Sequence, residues 1–188
     1  MKTTKLILAL LVLLTVGCGK NENKPDDQED PEESRTLTDI VSQAYLDEVK
    51  TMGFTIHTGS SASAREIGGD YLVAPYKHDA SNFMQTVSVD PSGFTISIMV
   101  DQNGGELFVG FSNEGHSSFN LSKPFMIGAG KNFTICRHRD VSGIAYAQLI
   151  SGTKEGNALK NVKLATIRLA NGDINIYSDA DGTSSQQP

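Results

Sequence analysis

GFTISIMVDQ, Gly93 to Gln102, alternates without a slip. Phe94, Ile96, Ile98 and Val100 fall on one side; Thr95, Ser97 and Met99 fall on the other. Successive side chains of an extended chain point to opposite faces, so this stretch predicts a half-buried antiparallel strand. The same character continues downstream in ELFVGFSN, PFMIGAG, NFTICRHR, IAYAQLISG, VKLATIRLA and INIYSD. Clusters such as Asn103-Gly104-Gly105 and Asn171-Gly172-Asp173 separate these segments as turns. FTIHT and YLVAP add two upstream segments. The pattern predicts a mainly β domain, an antiparallel β-barrel or a β-sandwich of about 8–9 strands.

Before Gly53 the period is different. In TLTDIVSQAYLDEVKTMG, the residues Leu37, Ile40, Val41, Ala44, Leu46, Val49 and Met52 mostly follow a spacing of three or four. This predicts one amphipathic helix over about residues 36–52. Thr36 with Asp39 forms a capping pair, and Gly53 suits a left-handed stop.

The N-terminus reads as an address. Lys2 and Lys5 precede Leu6 to Val16, an apolar run of 11 residues. A membrane-spanning helix needs roughly 20, so residues 1–17 are expected to be a cleaved signal peptide. Thr15-Val16-Gly17-Cys18 resembles the lipobox of bacterial lipoproteins, with Thr15 where leucine is usual. That resemblance implies a diacylglycerol on Cys18 and a palmitate-type acyl chain on its new amino group. Two or more chains give stable membrane anchoring. Gly19 to Ser34 carries seven acids and two lysines, a net charge of −5, and no apolar side chain larger than proline. Residues 18–34 are therefore expected to be a lipidated cysteine and a disordered acidic tether. The acidic stretch also resembles the signal that sends lipoproteins of Bacteroidota-type bacteria to the cell surface. The expected location is the outer membrane, at the cell surface or the periplasmic face; a plain solvated spacer is the simpler reading of the charge run.

The whole chain carries −6, and residues 35–188 carry about −3. A mildly acidic domain without a basic patch argues against nucleic acid as a partner. Residues 35–188 suit one β-rich domain with its own core. With Cys18 committed to lipid, Cys136 has no intramolecular disulfide partner and is expected to be a small buried hydrophobe.

Several motifs invite chemistry and are weighed against simpler roles. Cys136 and His138 share a face if NFTICRHR is a strand, and both are zinc-ligand types, but His57, His78 and His116 lack ligand spacing. Cys–His nucleophilic catalysis needs a third, orienting group that the sequence does not supply. Gly128 to Asn132, GAGKN, lacks the hydroxyl residue after Lys131, has Phe125 where a phosphate loop needs glycine, and leads into a strand. It reads as a hairpin turn. Asp179 to Ser184, DADGTS, has a calcium-loop flavour, but the chain ends before a distal glutamate, so a polar turn is the better reading. Asn120-Leu-Ser122 and Asn132-Phe-Thr134 match the glycosylation triplet, which is uninformative in a bacterial lipoprotein context. Tyr71, Tyr76, Tyr146, Phe83 and Phe119 are candidates for a ligand mouth, although aromatic residues of a β domain are more often core. No catalytic, metal or cofactor site is assigned.

Two blocks carry a wider resemblance. The first supplies Gly53, Ile56 and Gly59, then Ile67, Gly69, Tyr71 and Pro75. The second supplies Gly130, Asn132, Phe133 and Thr134, then Ile150 to Thr153, then Tyr177, Asp179, Asp181 and Gly182. These resemble a family of uncharacterised lipoproteins from Bacteroidota-type bacteria, from which Ser60 to Ala64 departs. Ile67-Gly-Gly-Asp-Tyr71 also faintly resembles the first-strand glycine–aromatic motif of lipocalins, with Arg168 as a candidate packing arginine. That likeness implies a barrel with room for one small ligand or for side chains alone. The expectation is a non-enzymatic, membrane-anchored lipoprotein that binds a small apolar or amphipathic ligand. The alternative is an envelope interaction or structural module contacting a protein or a glycan.

Overall fold

A computed structural model of the chain describes residues 36–83, 89–100, 107–112 and 124–188. The signal segment 1–17, Cys18 and its tether, the Asn103-Gly104-Gly105 turn, His116, Phe119 and the Asn120–Ser122 triplet lie outside the described residues. Among the described residues no helix is long and apolar enough to cross a membrane.

The protein is mainly β, and the eleven strands among the described residues form one antiparallel sheet. They are β1 Gly69–Val73, β2 Tyr76–Ser81, β3 Val89–Asp90, β4 Phe94–Val100, β5 Leu107–Phe111, β6 Phe125–Ala129, β7 Asn132–Val141, β8 Ile144–Glu155, β9 Ala158–Arg168, β10 Ile174–Asp179 and β11 Thr183–Gln186. Strand β4 is half-buried as its alternation predicts, with Ile96 and Ile98 in the core and Met99 exposed.

Three pairs of strands are halves of single interrupted runs. β1 and β2 lie end to end, as do β3 with β4 and β10 with β11. Counted this way, the sheet has eight runs, each paired with its sequence neighbours, and the last pairs back onto the first. Among the described residues only β5 and β6 are sequence neighbours that do not pair with each other, so the described sheet rolls up without closing. Arg137 of β7 crosses that seam from the inside. Its Nη1 donates to the Val109 carbonyl of β5 at 2.8 Å, and its guanidinium lies 4.5 Å from the Phe111 ring centre.

The interruptions line up across the sheet. They are Pro91-Ser92-Gly93, Ala74–Pro75 and Ala180–Gly182 in the three split runs. On β9 the line passes Asn161, with φ +53°, and on β8 a register shift between Ser151 and Thr153. Proline cannot donate to a ladder, and an extra residue bends a strand and sharpens its twist. Gly93 has φ +65°, and a Cβ there would lie 2.1 Å from the Val73 carbonyl oxygen. No other residue fits without moving one of the two strands.

Both faces of the central strands are covered. Inside the roll, Tyr71, Ile96, Ile98, Phe133, Ile135, Ile150 and Leu159 pack with no more than 1% exposure. On the outside, Cys136, Leu149, Ala165, Ile167 and Ile176 lie under Val41, Leu46, Val49 and Phe54 of the N-terminal segment. A sheet buried on both sides has no polar face to reveal in its sequence, which is why IAYAQLI reads as a run.

Three sequence expectations are corrected. The predicted helix 36–52 is a 3₁₀ turn, Leu37–Asp39, followed by α1, Gln43–Thr51. The Thr36–Asp39 cap exists, with the Thr36 N–H donating to Asp39 Oδ2 at 2.6 Å, but it closes only that turn. Between the two, Val41 turns wholly into the outer core and Ser42 starts α1 afresh, accepting from the Tyr45 N–H. Gly53 ends α1 at φ +89°, as read. FTIHT is not a strand; its His57 N–H donates to the Thr134 hydroxyl at 2.8 Å instead of to a ladder carbonyl. A short helix not foreseen, α2, Ala64–Ile67, stops one end of the roll by burying Ile67. Tyr71 donates to the Ile67 carbonyl at 2.6 Å, and its ring is covered by Lys154 Nζ at 4.6 Å. Arg168, the candidate packing arginine, lies at the opposite end of β9 from the β11 pairing beside Tyr71.

Gly93→Ala is expected to destabilise the fold by about 2 kcal/mol or more, from left-handed backbone strain and the clash with Val73. Thermal unfolding followed by far-ultraviolet circular dichroism checks this. A melting temperature unchanged from the parent protein would show that the line of interruptions is slack.

Candidate functional site

The two halves of the roll differ in chemistry. The half beside α2 is filled by the apolar core. Toward the β7–β8 hairpin, the same inner face turns polar. Cross-strand register fixes the rows, since directly paired residues share a face. Ile135, Ile150 and Leu164 form the last apolar row on β7, β8 and β9. The next row is Arg137, Gln148, Thr166 and Asn175, continued by Ser81 on β2. Beyond it come Arg139, Tyr146 and Arg168.

Arg137 holds the first polar row. Its Nε donates to Gln148 Oε1 at 2.6 Å, and both side chains are buried. Thr166 and Asn175 of the same row, and Arg139, Tyr146 and Arg168 beyond it, are only half-buried, so solvent reaches this half of the inner face. Arg168 Nη1 lies 3.8 Å from Asp173 Oδ2 at the β9–β10 turn. Three buried polar atoms here find no hydrogen-bond partner: Arg168 Nε, Asn175 Oδ1 and His78 Nε2. Buried polar groups are nearly always satisfied, so three around one surface mark it as the candidate site.

An aromatic ribbon separates this polar surface from the packed half. His78 stacks on Tyr177 at 4.9 Å between ring centres; Tyr177 meets Tyr76 edge-on at 6.0 Å; Tyr76 meets Phe94 at 5.2 Å. Phe94 then meets Phe111 at 5.5 Å, and Phe111 carries the Arg137 guanidinium. Offset and edge-on contacts of this kind add stability beyond area burial. Burial raises the Tyr177 hydroxyl above its ordinary pKa, and the nearby Tyr76 raises it further. Burial, then the charge and hydrogen bond of Asp90, raise that of Tyr76. Both rings therefore present neutral hydroxyls at physiological pH.

The candidates from sequence separate clearly. Tyr76 belongs to the ribbon and Tyr146 to the outermost row. Tyr71 lies in the packed half, and Phe83 is exposed at 48% just after β2. Cys136 and His138 do share a face, but it is the outer one; Cys136 is completely buried under the N-terminal segment. His57 is half-buried in the non-strand segment before α2. Among the described residues no three His, Cys, Asp or Glu side chains converge as metal ligands. GAGKN is the β6–β7 hairpin turn, with Ala129 facing Asn132. DADGTS is the interruption between β10 and β11. There Asp179 is buried and accepts from the Ser184 hydroxyl at 2.6 Å, and burial raises its carboxyl above the usual range.

The arginine row and its polar neighbours escaped sequence reading. The available signal was NFTICRHRD, where Phe133 and Ile135 give way to Arg137 and Arg139 on one alternating face. No protein-family profile, curated protein or solved structure matches this chain.

Burial pushes the Cys136 thiol up to about 12. The thiolate, not the thiol, is the nucleophile, so the folded protein is expected to leave Cys136 unmodified by a disulfide reagent at pH 8 over an hour. It should react at once in 6 M guanidinium, about 6 M being enough to unfold most domains. Rapid native modification, followed by absorbance, would mean that the N-terminal segment does not cover the sheet.

Proposed function

We propose that this protein is a lipid-anchored envelope protein whose rolled sheet binds a small amphipathic ligand in its polar half. The observation that carries this reading is the division of one inner face into a packed apolar half and a solvent-reachable polar half, joined by an aromatic ribbon. Binding sites combine a mostly apolar lining with a few placed polar groups, and Arg168 Nε, Asn175 Oδ1 and His78 Nε2 are polar atoms here that make no hydrogen bond. The anchor rests on the sequence: the short apolar run, Cys18 and the acidic segment after it fit a domain tethered to a membrane by a lipid.

An interaction module is the second reading. Met99 on β4 and Phe108 on β5 are cross-strand neighbours, both exposed, at 48% and 40%. Among the described residues β5 has a strand partner on one side only, β4, and sheet edges invite pairing with another chain.

Two measurements test the proposal. Native mass spectrometry of the full-length protein, extracted from its own membrane in mild detergent, is expected to show a discrete small-molecule adduct beyond the Cys18 lipid. Only lipid-modified protein, with no further adduct, would shift the weight to the interaction module. Cys18→Ser is expected to abolish the acyl mass and release the protein from the membrane fraction; retention there would refute lipid anchoring.

A further inference from the structure

The domain is mildly acidic overall, yet the polar half of its interior carries arginine. Arg137, Arg139 and Arg168 project from β7 and β9 onto the same inner face, and the outer row ends at Asp173, which faces Arg168 at the β9–β10 turn. Arg168 is the decisive one. Its Nε is buried and without a hydrogen-bond partner, while its nearest carboxylate, Asp173, sits 3.8 Å from Nη1 at the turn. A guanidinium presents donors in a fixed fork suited to carboxylate or phosphate. Nη1 is the atom toward Asp173, while Nε makes no hydrogen bond and has one donor to offer.

We propose that the ligand of the polar half is a small organic anion, carrying a carboxylate or phosphate head beside Arg168 and an apolar or aromatic body laid on the Tyr177–Tyr76 end of the ribbon. This rests on the ligand-binding reading above. The packed half limits the body. Tyr71, Phe133, Ile135 and Ile150 leave no exposed surface beneath the ribbon, so a long acyl chain threaded down the roll has no place. Asn175 Oδ1, paired across the strands beside Thr166, supplies an acceptor for a hydroxyl or amide on the ligand.

The test uses the full-length lipoprotein in nanodiscs and three probes: 2-naphthoate, its neutral isostere 2-naphthamide, and phenyl phosphate. Binding is read by isothermal titration, with empty nanodiscs subtracted. Both anions are expected to bind at least about tenfold more tightly than the amide, a difference of about 1.4 kcal/mol. A preference for one anion identifies the head group. Arg168→Gln is expected to remove the preference, the anions losing at least about tenfold more affinity than the amide, and Asn175→Asp, which places a negative charge in the same lane, should weaken the anions more than the amide. Arg65→Gln, on exposed α2, should change nothing. Circular dichroism confirms that each variant is folded. Equal binding of anions and amide, or a preference that survives both Arg168→Gln and Asn175→Asp, overturns the anion inference and leaves the ligand-binding reading standing. No binding of any probe at millimolar concentration, together with the absence of a native adduct, overturns both.

Discussion

The roll depends on one line of interruptions across five neighbouring runs. A long antiparallel sheet left regular would coil gently and present two flat faces. Here three runs break at Ala74–Pro75, Pro91–Gly93 and Ala180–Gly182, while β8 shifts register and β9 turns through Asn161. The breaks are mutually held. The Ala180 N–H donates to the Pro75 carbonyl at 2.7 Å, and the Asn161 N–H donates to the Gly182 carbonyl at 3.2 Å. Backbone groups released by one interruption are thus taken up by the next, so the ladder loses few hydrogen bonds. Because the bends are aligned, the two ends of the sheet come close enough for a single guanidinium to join β7 to β5.

That join has a cost and a consequence. Arg137 is 7% exposed, and a buried charge needs compensation. Its partners include the Gln148 side chain, the Val109 carbonyl and the Phe111 ring. Each is a neutral partner suited to a planar cation. Meeting the needs of one arginine imposes a polar row on the strands beside it, and the inner face cannot return to hydrocarbon beyond that row. The seam contact and the candidate site are therefore two ends of the same arrangement: the residue that holds the roll together also sets where the apolar core stops.

The fold class was legible because alternation is a local signal. Phe94 to Val100 is half-buried, so its two faces differ in the sequence. Gly53 and the Gly130–Lys131 turn were equally readable, since each needs only its neighbours. The helix was overextended because Leu37, Ile40 and Val41 keep the right spacing whether or not the backbone stays helical. Tertiary packing of Val41 decided the break, and no local propensity reports that. FTIHT failed for a related reason. β-rich composition says that a segment is extended, not that it finds a ladder.

The candidate site was hidden by burial on both faces. On β7, the inner series Phe133, Ile135, Arg137, Arg139 runs beside the outer series Thr134, Cys136, His138. Both begin inside the protein and end near solvent, so neither shows the clean contrast of β4. The arginines accordingly read as an exposed strand end. Only the register, which sets Arg137 against Gln148 and Thr166 against Asn175, shows that the polar residues of four strands form one surface. The cysteine and histidine that attract attention in the same segment face the other way, and Cys136 lies under the N-terminal segment. Chemistry-bearing residues two apart on a strand share a side. Which side that is depends on what the rest of the chain places above and below the sheet.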